Sequence, residues 1–118
     1  METKIGTMGW MDLTVDNAEG LRAFYSEVLG WEASPVSMGE GSYNDYAMLV
    51  DGKPVGGICH RRGENSQQPA VWMPYFVVAD LSAAVITAEA QGGQLHELRD
   101  KMAVMRDPAG VYFALWQG

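Results

Sequence analysis

The sequence predicts an α+β domain built from two tandem repeats, each a strand, a helix and three further strands. Three observations lead there. The chain has 118 residues, enough for one core and too few for two ordinary domains. Helix-start and helix-stop residues recur at an offset of 63, with Val15 matching Val78, Asn17 matching Asp80 and Gly30 matching Gly93. Three strand-like segments follow each helix, whereas a ferredoxin-like βαβ unit would supply one. The repeats share few identical letters, so the order of caps, helices and terminating glycines carries the duplication.

The first strand spans residues 7–15, where Met8, Trp10, Asp12 and Thr14 alternate with Met11, Leu13 and Val15. Asp16 and Asn17 offer a helix cap. Residues 18–29 then carry Leu21, Phe24, Tyr25 and Val28 at helical spacing, and Gly30 suits the left-handed position that ends a helix. Strands follow at 31–38, 43–50 and 54–61, separated by Gly39-Glu40-Gly41 and by Asp51-Gly52, a hairpin signal. Polar residues 62–69 have no period and connect the halves. The second half repeats the order. A strand at 72–79 leads to a helix at 81–91 capped by Asp80, with Ala84, Val85 and Ala88 on one side and Gly92-Gly93 at its end. Strands at 94–98, 102–105 and 111–116 complete it, the last two joined by Asp107-Pro108-Ala109-Gly110. We therefore divide one domain, 1–118, into module one at about 5–62, a connection at about 63–70 and module two at about 71–118.

Composition narrows the function classes. Apolar residues at 47% against 19% charged residues exclude a disordered acidic segment, even with a net charge of −7. Phosphate binding needs clustered basic residues, and only Arg61-Arg62 approaches a cluster, so nucleic acid and anionic membrane surfaces are not expected partners. Cys59 is the single cysteine, which precludes an internal disulfide and fits a reducing compartment. Met1-Glu2-Thr3-Lys4 runs directly into a strand, with no signal peptide or membrane-spanning run, and a cytoplasmic protein is expected.

Trp10-Met-Asp-Leu-Thr-Val-Asp-Asn17, Phe24-Tyr25 with Leu29-Gly30-Trp31, and Asp107-Pro-Ala-Gly-Val-Tyr-Phe-Ala-Leu-Trp116 together resemble the vicinal oxygen chelate superfamily, which includes glyoxalase I, bleomycin-resistance proteins and extradiol dioxygenases. The resemblance covers almost the whole chain and implies two βαβββ modules forming a cupped, incomplete barrel with the helices outside and one small-molecule pocket. In metal-using members the first and last strands of each module supply the ligands to a divalent ion. Carried over, those places are Trp10, Gly57, Met73 and Ala114. Hard divalent ions need imidazole or carboxylate donors, which none of the four provides, so no metal and no other cofactor is expected.

Alternation along strands then selects candidate ligand-binding residues. If Met11, Leu13 and Val15 face the helix, Trp10 and Asp12 face the pocket, the indole as a stacking wall and the carboxylate as a partner for a cation or hydroxyl. The competing roles are a core plug for Trp10 and a local hydrogen bond for Asp12. Met73, Tyr75 and Val77 on the fifth strand share the inward face with Tyr112, Ala114 and Trp116 on the eighth. Tyr46 offers a strand hydroxyl in an apolar wall, and His60 lies near the end of the fourth strand, where it titrates at the pocket mouth or is a satisfied surface histidine. Cys59 and His60 point to opposite faces and form no nucleophile–base pair. The expected function is metal-independent binding of an aromatic or cationic small molecule, similar to the resistance-type members and, like them, as a homodimer. The alternatives are a metal-dependent lyase or dioxygenase, a metal-free isomerase using Asp12, a tyrosine or His60, and a module for a protein partner.

Overall fold

The computed structural model describes residues 4–118; the opening residues 1–3, which the sequence reads as leading straight into a strand, lie outside them. The elements follow the expected order: β1 (Met8–Val15), α1 (Ala18–Leu29), β2 (Glu32–Met38), β3 (Tyr43–Val50), β4 (Lys53–His60), β5 (Trp72–Val78), α2 (Leu81–Ala90), β6 (Gln94–Leu98), β7 (Met102–Arg106) and β8 (Tyr112–Gln117). The hydrogen-bonded strand order among the described residues is β2-β3-β4-β1-β5-β8-β7-β6. Two compact units divide the chain, one Met11–Trp72 and the other Met73–Gly118 together with the residues up to Trp10.

In the Met11–Trp72 unit, Asn17 caps α1 by accepting the Gly20 N–H at 2.9 Å, and Gly30 ends it at φ 73°. β1 pairs in parallel with β4, setting Asp12 beside Gly57, Leu13 beside Ile58 and Thr14 beside Cys59. β4 and β3 form the expected hairpin. Its turn uses Asp51 at φ 50° and Gly52 at φ 75°, the positive pair that matches the twist of the flanking strands. One face of these strands packs on the helix. Ala18, Tyr46, Met48 and Ile58 form the buried cluster, with Val15, Leu21, Tyr25, Trp31 and Trp72 around it. Tyr25 stacks on Trp31 at 5.8 Å and accepts the Trp72 indole N–H at 2.9 Å, so the polar atoms of this aromatic knot are satisfied.

In the other unit β5 pairs in parallel with β8, β8 runs antiparallel to β7, and β7 antiparallel to β6. Asp80 caps α2 by accepting the Ala83 N–H at 3.0 Å, and Gln117 Oε1 accepts the Leu81 N–H at 2.7 Å. The left-handed residue after this helix is Gly92 at φ 96° rather than Gly93, so the glycine correspondence between the repeats shifts by one place. The register of β6 on β7 shifts between Leu95 and Glu97, around His96. Two apolar layers flank β7 and β8. Leu81, Val85, Ala103, Met105 and Leu115 pack on the helix side, and Met73, Met102, Val104 and Ala114 on the other.

Met105 is fully buried in the helix-side layer, whereas Ile86 on α2 is 67% exposed. Met105→Ala should therefore cost about 2–5 kcal/mol of unfolding free energy, and Ile86→Ala less than about 0.5 kcal/mol. Urea unfolding of both variants at equal protein concentration checks this contrast.

Candidate functional site

The face of β5, β7 and β8 that turns away from α2 gathers four of the eight residues expected to bind a ligand, Met73, Tyr75, Tyr112 and Trp116. The register sets Ala114 between Tyr75 and Val104, and Trp116 between Val77 and Met102. Met73, Met102, Val104 and Ala114 form a buried floor, and the half-buried rings of Tyr75, Tyr112 and Trp116 pack against it. Ala114 is the step that matters for shape: with only a methyl group between Tyr75 and Val104, the floor lies low beside a tall ring. Tyr112 has two neighbours over its ring. Arg106 lies 5.5 Å above its ring and His96 meets it edge-on at 5.2 Å. Trp10 on β1 is half-buried as well.

A groove of about 400 Å³ lies on the same unit, lined by Pro74, Phe76, Val111, Tyr112, Phe113 and Asp107. Pro74 and Phe76 alternate with Met73 and Tyr75 along β5, so this groove opens on the opposite face. Asp107 is occupied by the turn it belongs to, accepting the N–H groups of Ala109 at 2.9 Å and Val111 at 3.0 Å.

The Met11–Trp72 unit holds the other three candidates. Asp12 is half-buried beside Gly57. Tyr46 faces α1, where its hydroxyl donates to Glu19 and Arg22 lies 5.0 Å above its ring. That places Tyr46 in the helix-side core, not on the face that carries Asp12. His60 is fixed by a residue that sequence reasoning missed. Asp45, 5% exposed, accepts the His60 backbone N–H at 2.8 Å and approaches ring Nδ1 at 3.4 Å through the same oxygen. A carboxylate in the middle of a predicted half-buried strand was the available signal, because such a group must find donors. Tyr43 meets the His60 ring edge-on at 5.4 Å, and the exposed Arg62 lies 4.0 Å above Tyr43.

Metal chemistry does not fit the four places that metal-using relatives employ. Gly57 and Ala114 have no donor atom, the Trp10 indole has no lone pair to give, and the Met73 thioether is a soft ligand buried in the apolar floor. Among the described residues no three His, Cys, Asp or Glu side chains are grouped to hold a metal ion. Among the described residues no helix is long and apolar enough to cross a membrane.

The hydrogen bond from Tyr46 holds the Glu19 carboxyl below its ordinary value of 4.5; burial opposes this, and Arg22 and His60 add to it. The same bond, with burial, raises the Tyr46 hydroxyl above 10.0. A carboxyl lowered by folding contributes stability above its unfolded value and loses it as pH falls through the folded one. The stability gap between the wild type and Tyr46→Phe should therefore be full at neutral pH and shrink in acid below the usual carboxylate range. Urea unfolding of both proteins at pH steps across that range measures it.

The family model for a glyoxalase-like domain matches residues 10–116. An anthracycline biosynthesis protein of Streptomyces peucetius is 30% identical over 95% of this chain and 47% of its own length. The chain thus spans about half the length of the curated relatives it matches. Among solved structures, a hypothetical protein from Bacillus halodurans C-125 aligns over 98% of this chain and 96% of that one, with a TM-score of 0.64 and 10% identity. Methylmalonyl-CoA epimerase from Mycobacterium tuberculosis aligns over 99% and 91%, with a TM-score of 0.61 and 16% identity. At those identities the structural likeness speaks for the fold alone. The match from the first strand to the last, on this order of strands and helices, means that the chain belongs to the glyoxalase-like domain family of the vicinal oxygen chelate superfamily.

Proposed function

We propose that the protein binds a small organic molecule, aromatic or cationic, without a metal ion, in the cytoplasm and as a homodimer. The observation that carries this is the set of half-buried rings, Tyr75, Tyr112 and Trp116, over the apolar floor of Met73, Met102, Val104 and Ala114. Rings over an aliphatic floor stack on flat ligands, and their negative faces attract cations, whereas the absence of hard donors at the four metal places disfavours Lewis-acid chemistry there. An anthracycline biosynthesis role in one relative accords with an aromatic ligand. Trp10 and Asp12 belong to the same proposal as a second stacking surface and an anionic partner. The proposal of a dimer draws on β2 and β6, the end strands of the sheet, which carry exposed Val36, Leu95 and Leu98 and leave backbone groups available for pairing.

Thermal shift and calorimetry with an anthracycline, a cationic dye and an aliphatic aldehyde test the reading. A ligand at 100 times its Kd should stabilise the fold by about 2.7 kcal/mol. Tyr75→Ala and Trp116→Ala should each weaken binding of the aromatic compound by about tenfold or more. A stoichiometric divalent ion in protein purified without added metal, or binding that neither variant changes, would overturn it.

A further inference from the structure

Asp45, His60, Tyr43 and Arg62 form a polar chain that the aromatic face does not use. The Asp45 carboxylate is buried and ties down both the main chain and the ring of His60, which fixes where the imidazole points and favours the tautomer with its proton on Nδ1. Among the described residues Nε2 has no hydrogen-bond partner, and it is not a buried orphan atom. It is therefore the lone-pair end of an oriented base. The charged groups around it are unequal. Asp45 on β3 lies 3.4 Å from Nδ1, and Glu19 on α1 is close enough for its own carboxyl to be lowered in part by His60. Arg62, on the segment just after β4, lies over Tyr43 and brings a cation to the same end of the strand. Arg61, its neighbour, is turned away to Asp16 and to the Gln68 carbonyl.

An imidazole oriented by a buried carboxylate, next to an aromatic ring and an exposed guanidinium, suits an acidic hydroxyl on a ring. We infer that His60 and Arg62 form a site for phenols, in which His60 Nε2 takes the hydroxyl proton and the resulting phenolate is held between the imidazolium and the Arg62 guanidinium. The step balances: the phenol O–H bond breaks, the Nε2–H bond forms, the electron pair stays on oxygen, and no electron is transferred. Asp45 is a positioning residue, because it acts on the substrate only through the imidazole. The site is independent of the aromatic face proposed above and stands or falls separately.

The probe is 4-nitrophenol, whose phenolate has a visible absorption band that the neutral phenol lacks, with 4-nitroanisole as the analogue that has no proton to give. Titrated into the wild type below the pH at which the free phenol ionises, 4-nitrophenol should develop the phenolate band on binding, and 4-nitroanisole should bind at least tenfold more weakly. His60→Gln should abolish the band, and Arg62→Gln should weaken binding severalfold while leaving the melting temperature unchanged. Should Asp45→Asn fail to fold, nitrogen NMR of the wild-type imidazole reads the positioning role directly, as an Nδ1–H tautomer at a pH where the ring is neutral. No binding of 4-nitrophenol by the wild type, binding as the neutral phenol, equal binding to His60→Gln, or an Nε2–H tautomer would each overturn the inference.

Discussion

Each helix covers one face of its strands, and the two-residue period of a strand then decides what every neighbouring residue can do. Leu13, Ile58 and Tyr46 lie in register with one another and are committed to the side of α1; Ala103, Met105 and Leu115 are committed to the side of α2. The intervening residues are left for the other face. A one-residue slip of β8 would send Trp116 and Ala114 into the helix and bring Leu115 out, exchanging a ring-lined surface for an aliphatic one. Packing against α2 thus specifies the candidate site without touching it, and the buried Met105 and Leu115 are as necessary to the aromatic face as the rings themselves.

The same constraint bears on the four places that metal-using relatives employ. The four places lie on strands whose register is set by the helix-side residues. Gly57 stands between Asp12 of β1 and Ala47 of β3, and Ala114 between Tyr75 and Val104. Ala114 is small between larger neighbours, and Met73 packs in the same buried layer as a flexible apolar chain.

Much of this was legible in the sequence because it rests on local rules. The caps at Asn17 and Asp80, the Asp51-Gly52 turn, the Asp107 turn and the alternation of Met73, Tyr75, Tyr112 and Trp116 each depend on residues within a few positions of one another. Tyr46 and His60 depend on partners 27 and 15 residues away, Glu19 and Asp45, and no period announces such pairs. Tyr46 shows the limit plainly. Alternation makes it a strand tyrosine with one polar atom; only the approach of α1 decides whether that atom meets solvent, a ligand or a carboxylate.

The Arg61-Arg62 pair illustrates how adjacency in sequence dissolves in the fold. Arg61 is held by its backbone N–H on the Val15 carbonyl at 3.0 Å, by Nε on the Gln68 carbonyl at 3.0 Å, and by its guanidinium near Asp16 at 3.4 Å. It pins the segment between β4 and β5 to the end of β1, and turns Nε and Nη1 of the guanidinium toward Gln68 and Asp16. Arg62 is exposed and rests on a ring face, a contact that leaves its N–H groups free to bond elsewhere. A backbone such as DNA asks for several guanidiniums presented together along one surface, and here the two differ in direction and in occupancy. What the strand end carries instead is one exposed guanidinium over the Tyr43 ring, which in turn meets His60 edge-on.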